Sequence, residues 1–336
     1  MIGADQMKPS LYRPHSYHED RLFPLTLARE RLLRGLHFQY HLERHYAYST
    51  HAEVQQESNA RNPGYPRFRA ARRYDSMTFR QIGKALIGNK LRLSKIGKVK
   101  IRMHCPLEGS VRTLTVKREA GRWFALFIVQ RESQPLLRNI NTVGIDVGLS
   151  LFATLSDGSV IENPRWFQTA QAKLRRLQRR VARRKRESNR RRKAILLLQR
   201  FHNHVRDQRR DFHHKESRKI VNQNGLIAVE DLNIKGLASG MLAKSVNDAG
   251  WSNFLSMLAY KAESAGRVFV KVDPRGTSQT CICGAEVRKT LNDRWHLCLN
   301  CGLSADRDHV SAQVILLRAR GEPSDANVGV LIPSVV

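Results

Sequence analysis

Apolar and polar positions alternate with period two through Leu91-Arg-Leu93, Lys98-Val-Lys-Ile-Arg102 and Val111-Arg-Thr-Leu-Thr-Val-Lys117, and an apolar run, Trp123-Phe-Ala-Leu-Phe-Ile-Val129, follows a turn at Gly121. Alternation broken by glycine turns predicts antiparallel strands, a small barrel with a basic outer face across residues 61–140. A polar link with a proline, Ser133–Asn141, leads into β-branched apolar runs at 143–155 and 226–230, which read as buried parallel or central strands. After Asn163-Pro164 the period becomes helical. Phe167, Leu174, Leu177 and Val181 form one stripe and Ile195, Leu198, Phe201 and Val205 a second, predicting two helices in an antiparallel pair over residues 165–220. Another helix is expected to bear Phe254, Leu255 and Leu258, and Ser304–Ala312 opens a last one. Residues 1–60 carry helical-looking stretches such as Leu22 to Tyr46 and no sharp motif, and 319–336 reads as a flexible tail. The expectation is an α/β chain with a small β-barrel before its main domain, 141–318, and a short helical N-terminus.

Charge changes that picture most. The 336 residues carry a formal charge of +30, which implies a polyanionic partner, nucleic acid first. Twenty basic residues against four acids fall between Lys173 and Lys219. At their centre lie Arg183, Arg184, Lys185, Arg186, Arg190, Arg191, Arg192 and Lys193. A charge run is usually a solvated face, but this one exceeds what solubility needs and reads as a phosphate track. Gly64-Tyr-Pro-Arg-Phe-Arg69 interleaves Tyr65 and Phe68 with Arg67 and Arg69, which suits base stacking plus phosphate contact, or equally a proline turn packed by its aromatics. No apolar run reaches the roughly 20 residues of a membrane span, and the opening residues do not resemble a secretory signal. The cytoplasm, near DNA, is the simplest location.

Three carboxylates stand where charge is costly. Asp146 interrupts the first apolar run, Glu230 ends the second, and Asp308 opens the last predicted helix. A divalent metal is the usual compensation, and three such acids at one end of a sheet would make a metal-dependent phosphodiesterase site. Read alone, Gly144-Ile-Asp-Val-Gly148 also suits a sugar-kinase or actin-like nucleotide site, and Asp308 suits the dipole of a helix N-terminus; Asp306 is a second candidate beside it. Cys281-Ile-Cys283 and Cys298-Leu-Asn-Cys301, each followed by glycine, form a four-cysteine zinc-ribbon pattern spanning 277–303. The first pair is one residue short of Cys-x-x-Cys, and His296 is an alternative ligand. Cys105 stands alone and reads as a small buried residue.

These segments together resemble the split RuvC-type nuclease domain of the ribonuclease-H-like fold. More narrowly, residues 64 to 318 resemble the TnpB family, transposon-encoded RNA-guided nucleases also described as OrfB-type transposases and related to type V CRISPR effectors. The resemblance implies a DNA endonuclease that hydrolyses phosphodiesters with two Mg²⁺ (or Mn²⁺) ions, Asp146 bridging, Glu230 and Asp308 completing the ligand set, and Zn²⁺ in the ribbon. It implies a guide RNA from the transposon end and a double-stranded DNA target as partners, with the barrel as a wedge domain that grips both. Arg275, Thr277, Ser278 and Gln279 are then placed to meet phosphate near the cut, or to shape the loop entering the ribbon. Two departures stand out. Val310 occupies the place of an amide residue in the third motif, and no opening wedge strand is evident within residues 1–60. The alternative is therefore a nucleic-acid-binding relative impaired in cleavage by a short N-terminal lobe. A tyrosine-based transposase is not indicated, since no His-hydrophobe-His motif with a nucleophilic tyrosine is evident.

Overall fold

The computed structural model describes residues 19–26, 75–80, 86–94, 96–133, 135–290 and 293–321. Tyr65, Arg67, Phe68 and Arg69 lie outside the described residues, as do the tail beyond 321 and most of 1–60. Two compact units divide the chain, Met1–Ser133 and Gln134–Val336. Among the described residues no helix is long and apolar enough to cross a membrane.

The first unit is a seven-stranded sheet. Its strands are β1 (Glu19–Thr26), β2 (Ser76–Phe79), β3 (Leu86–Ile87), β4 (Lys90–Leu93), β5 (Gly97–Ile101), β6 (Ser110–Glu119) and β7 (Arg122–Gln130). They lie in the order β2-β6-β7-β1-β5-β4-β3, with every ladder antiparallel. Period two fixes which residues turn inward: Trp123, Ala125, Phe127 and Val129 of β7 are buried with Leu114 and Val116 of β6 and Leu91 and Leu93 of β4 in one core. Cys105 packs against that core, half-buried.

The opening strand absent from the sequence reading is β1, so the helix expected from Leu22 does not hold over Leu22–Thr26. It pairs with β7 from Glu19↔Val129 to Leu25↔Trp123. Pro24 lies within it, although proline lacks the N–H a central strand needs. Here β5 meets β1 only at Leu25 and Thr26, so Pro24 lies on a stretch paired with β7 alone among the described residues.

The second unit is α/β. Strands β8 (Thr142–Val147), β9 (Leu151–Leu155), β10 (Val160–Glu162), β11 (Leu226–Glu230) and β12 (Val268–Val272) form a sheet in the order β10-β9-β8-β11-β12. The first three strands meander antiparallel and the last two join β8 in parallel. Helices α1 (Trp166–Ala182), α2 (Asn189–Gln223), α3 (Ile234–Leu237), α4 (Ala243–Ala249) and α5 (Trp251–Ser264) come between, and α6 (Arg307–Arg320) closes the unit. A small hairpin, β13 (Trp295–Leu297) and β14 (Ser304–Asp306), precedes α6.

Alternation divides the sheet faces. Val143 and Ile145 of β8 and Ile227 and Val229 of β11 join α2, α4 and α5 in the larger core. Ala228, Val270 and Val272 face the other way, onto Ile315 and Ala319 of α6. A buried polar tie joins α2 to α5: Lys261 Nζ donates to His214 O and Ser217 Oγ, both at 2.7 Å, and burial pushes its pKa down to about 8. His213 Nε2 donates to Ala249 O at 2.8 Å, and burial holds that ring neutral, with a pKa of about 4.

Candidate nuclease centre and metal-binding knuckle

The same alternation decides where the two strand acids go. Gly144 and Asp146 share a face of β8, and Ala228 and Glu230 share a face of β11. Both sets are opposite to the residues buried in the larger core, so they face α6. The parallel register runs Ala228↔Gly144 and Val229↔Ile145, which leaves Asp146 and Glu230 one step beyond on neighbouring strands, about 5 Å apart at the backbone. Helix α6 can lie close because Gly144 has no side chain: a Cβ there would fall 2.0 Å from Ala312 O. That approach brings Asp308, in the first turn of α6, to the strand ends. Asp146 is held well above the usual carboxylate range by burial, then by the negative charges of Glu230 and Asp308. The three acids therefore share one electrostatic site.

Each acid has its own partner. Thr277 is buried, and its hydroxyl lies against Glu230 Oε1 and 3.0 Å from Pro274 O. Burial raises the Glu230 pKa, against the opposing pull of Thr277 and Arg318. Arg318 is itself buried and donates to Asp273 O and Arg275 O at 2.9 and 2.7 Å. Arg307 donates through Nε to Asp308 Oδ1 at 3.1 Å, and Arg294 lies 3.6 Å from Oδ2. Asp306, the second candidate, instead caps α6, accepting from the N–H groups of Asp308 and His309 at 2.9 and 3.2 Å. Arg275 is exposed and contributes a backbone carbonyl to the Arg318 clamp. Val310 is buried in α6, where an amide would need a partner.

The four cysteine sulfurs all lie within 4.8 Å of one another, the one metal-sized group of His, Cys, Asp and Glu ligand atoms among the described residues. Cys281 Sγ is 3.6 Å from Cys301 Sγ, and Cys283 Sγ is 3.7 Å from Cys298 Sγ. A tetrahedral tetrathiolate with metal–sulfur bonds of about 2.3 Å needs edges of about 3.8 Å, so the short Cys-x-Cys spacing is no obstacle. Gly284, at φ +86°, makes the turn. Burial lifts the Cys281 pKa to about 12, while the Ala285 N–H and the Asn300 amide draw Cys283 down to about 6. His296 is fully buried, with Nδ1 facing Lys289 Nζ, outside this cluster.

The basic pair forms as expected, α1 and α2 joined by a short turn, with Ser188 capping α2 through the Arg191 N–H at 3.1 Å. Arg183, Lys185, Arg186, Arg190, Arg192 and Lys193 are exposed and Arg184 is half-buried. Arg191 is half-buried, and its Nη1 donates to Val181 O and Arg184 O at 3.2 and 3.0 Å, closing the turn. The arginines that point outward from α1 (Arg176, Arg179 and Arg180) line a 640 Å³ groove with Arg183 and Arg184.

Arg294, Arg307, Thr277 as a Glu230 partner, and Gly144 as a contact for α6 were not read from the sequence as parts of the site. Only Arg307, directly between two acids, carried a local signal.

The family model described as "Probable transposase" (OrfB_IS605) matches residues 125–240, and that of the Cas12f1-like TNB domain matches residues 251–315. The first contains Asp146 and Glu230, the second Asp308 and all four clustered cysteines. A "Putative RNA-guided DNA endonuclease" of Streptomyces pristinaespiralis is 36% identical over 210 residues, 61% of this chain and 52% of that protein. "Putative RNA-guided DNA endonuclease InsQ" of Escherichia coli (strain K12) is 31% identical over 272 residues, 75% of this chain and 68% of its own length. The "CRISPR-associated endodeoxyribonuclease Cas12f1" of Sulfoacidibacillus thermotolerans is 27% identical over 222 residues, 59% of this chain and 50% of that protein. The match spans about half of the first and third relatives and two thirds of the second.

Proposed function

This chain belongs to the OrfB/TnpB family, and we propose that it is an RNA-guided DNA endonuclease with a RuvC-like, ribonuclease-H-type nuclease domain. The observation that carries the proposal is the convergence of Asp146, Glu230 and Asp308 from β8, β11 and α6 at one end of the sheet. The sheet order supports it too: an antiparallel meander of three strands followed by two parallel ones, with the first and fourth side by side. Among the relatives, the names of InsQ and of the Streptomyces protein state an RNA-guided DNA endonuclease.

The carboxylate set suits Mg²⁺ or Mn²⁺. Its donors are hard oxygens, and burial leaves Asp146 poorly compensated without a cation. A pair of such ions would supply an activated water and neutralise charge on the leaving oxygen. The chain's own residues do the positioning. Thr277 orients Glu230, the Asp306 cap and Arg307 fix the approach of Asp308, and Arg294 places a cation at the rim. The sulfur distances and the low pKa of Cys283 suit Zn²⁺, which would order residues 281–301 and so fix β14 and the start of α6. The first unit then serves as the wedge-like nucleic-acid-binding domain. The exposed arginines of the α1–α2 turn follow the phosphates of the guide and target without reading sequence.

The test is to express the full chain with its flanking DNA, sequence the RNA that co-purifies, and challenge the complex with plasmid DNA carrying a matching target. A discrete RNA, and cleavage that disappears in Asp146→Ala, supports the reading. A heterogeneous RNA population removed by salt, with no cleavage, overturns it in favour of a relative that binds nucleic acid by charge alone.

A further inference from the structure

Helix α6 carries an arginine on the face that packs against the sheet. Arg318 shares a buried stripe with Ser311 and Ile315 and is 8% exposed. A charge at such a position is costly unless hydrogen bonds or an opposite charge compensate it. Here the guanidinium engages the turn that follows β12. Nη1 donates to Asp273 O at 2.9 Å and to Arg275 O at 2.7 Å. Nη2 approaches Gly276, whose φ is +70°, so closely that a Cβ there would fall 3.8 Å from it. Nε is buried and makes no hydrogen bond among the described residues. The side chain is thus aimed at the turn, not at the nearest donor-satisfying site.

Between those two carbonyls lies a third. Pro274 O is 3.0 Å from the Thr277 hydroxyl, and the same hydroxyl lies against Glu230 Oε1. Gln279 N and Thr280 Oγ1 both donate to Gly276 O, at 2.9 and 2.7 Å, and Arg275 N donates to Asp273 Oδ1 at 3.0 Å. Asp231, next to Glu230, donates its N–H to Val272 O at 2.9 Å. The turn is therefore fixed to β11 on one side and to α6 on the other. Asp308 stands on the same helix, roughly 15 Å along its axis from Arg318. We propose that Arg318 is a positioning residue for the carboxylate centre, setting Glu230 through the 273–276 turn and Thr277 in register with Asp308. The proposal rests on the nuclease reading and adds that one helix governs two of the three acids. Position and charge make opposite demands. A nearby cation repels a metal ion, so an arginine acting by charge alone weakens metal binding, and its removal would tighten it. An arginine acting by position strengthens binding, and a lysine, which keeps the charge without the rigid planar group, does not replace it.

The test uses the full, zinc-loaded chain with its co-purified RNA, and Mn²⁺ titrated by electron paramagnetic resonance. The difference from Asp146→Asn isolates ions at the centre from those on RNA. Arg318→Lys and Arg318→Met should each weaken that Mn²⁺ binding about tenfold, the lower end for groups that orient metal ligands. Adding either to Thr277→Val should cost less than about a further twofold, because both act on Glu230 through one chain of contacts. In DNA cleavage kcat should fall and KM for DNA stay unchanged. Tighter Mn²⁺ in Arg318→Met, with no change in Arg318→Lys, overturns the proposal in favour of charge. A lower melting temperature at wild-type Mn²⁺ affinity, or losses that multiply in the double variants, overturns it in favour of an arginine that only supports the fold. Should Arg318→Met not fold, Arg318→Lys combined with Thr277→Val gives the same decision. If the wild-type complex binds Mn²⁺ at the centre but cuts nothing, the nuclease reading fails and the Mn²⁺ comparison still decides the role of Arg318. If Asp146→Asn leaves Mn²⁺ binding unchanged, both fail.

Discussion

The cysteine knuckle gathers four sulfurs at metal-binding distance, whereas the three carboxylates are joined as one electrostatic site, and the two are assembled by opposite means. The sulfurs come from a single short segment and lie at 3.6 and 3.7 Å, close to tetrahedral edges. The carboxylates come from two strands and a helix spread across the second unit, and they are coupled by mutual repulsion and burial. Arg307 and Arg294 both lie against Asp308. A site built from neighbours in sequence can be closely prearranged and structural. A site built across a sheet keeps charge under strain, which is what a catalytic metal relieves. Deleting an acid should therefore remove chemistry and spare the fold, and deleting a thiol should do the reverse.

The largest effect is expected at Asp146. Asp146→Asn should reduce plasmid cleavage by about 10³-fold or more, about 4 kcal/mol in the barrier. Its thermal midpoint should equal or exceed that of the wild type, because the substitution removes a buried carboxylate repelled by two others. A clear fall in melting temperature would show that the acid supports the fold and would erase the contrast.

Gly144→Ala comes next. Its Cβ would meet Ala312 O at 2.0 Å and Leu316 at 2.9 Å, and helix backbone cannot yield cheaply, so a loss of about 3 kcal/mol is expected in denaturant unfolding. Because α6 would move off β8, cleavage should fall while the bound zinc measured by mass spectrometry stays the same. Cys298→Ser sharpens the other side. It should abolish zinc binding, make residues 284–297 sensitive to protease, and cost about 2 kcal/mol. Cleavage should fall less than in Asp146→Asn, since β14 reaches the centre only through the start of α6.

The contrast also decides how much could be read in advance. The cysteine pairs were legible because spacing within one hairpin carries the geometry. The acids were legible as interruptions in apolar runs, which is the cost of charge made visible in sequence. Their neighbours were not. Arg294 meets Asp308 only because β13 and β14 pair, and Gly144 matters only because α6, far along the chain, lies across it. The fold was legible where period two was clean, as in β7, and not in β1, which was read as helical from Leu22 and is held as a strand by pairing with β7, about a hundred residues on. Arg191 shows a related limit: composition counts a cation without revealing that carbonyls at the α1–α2 turn accept from it.

Acidity separates the two sites more gently. The folded-state pKa of Asp146 is raised, so the metal-free protein gains most from this group below the unfolded value of about 4, and loses that gain as pH rises through the folded value. Glu230 acts in the same direction. In zinc-replete, Mg²⁺-free protein the melting temperature should therefore decline as pH increases across that window. Added Mn²⁺ or Mg²⁺ should raise it more at higher pH, where no proton must be displaced. A metal-induced shift independent of pH would mean that the ions bind elsewhere.

The smallest effect is expected at Arg294, whose side chain is 59% exposed and whose pairing with Asp308 is worth at most about 1 kcal/mol. In Arg294→Ala the carboxylate loses a competitor for the metal, so Mn²⁺ titrated by electron paramagnetic resonance should bind about two- to threefold more tightly. Maximal cleavage should still decline, because an exposed cation beside Asp308 is gone. Zinc affinity at Cys281–Cys301 should not change. Tighter metal with slower cleavage is the signature of a guanidinium that holds the catalytic acid until a metal arrives. Weaker Mn²⁺ binding would instead show that Arg294 orients Asp308 toward the ion, and the carboxylate centre would then be as prearranged as the thiolate one.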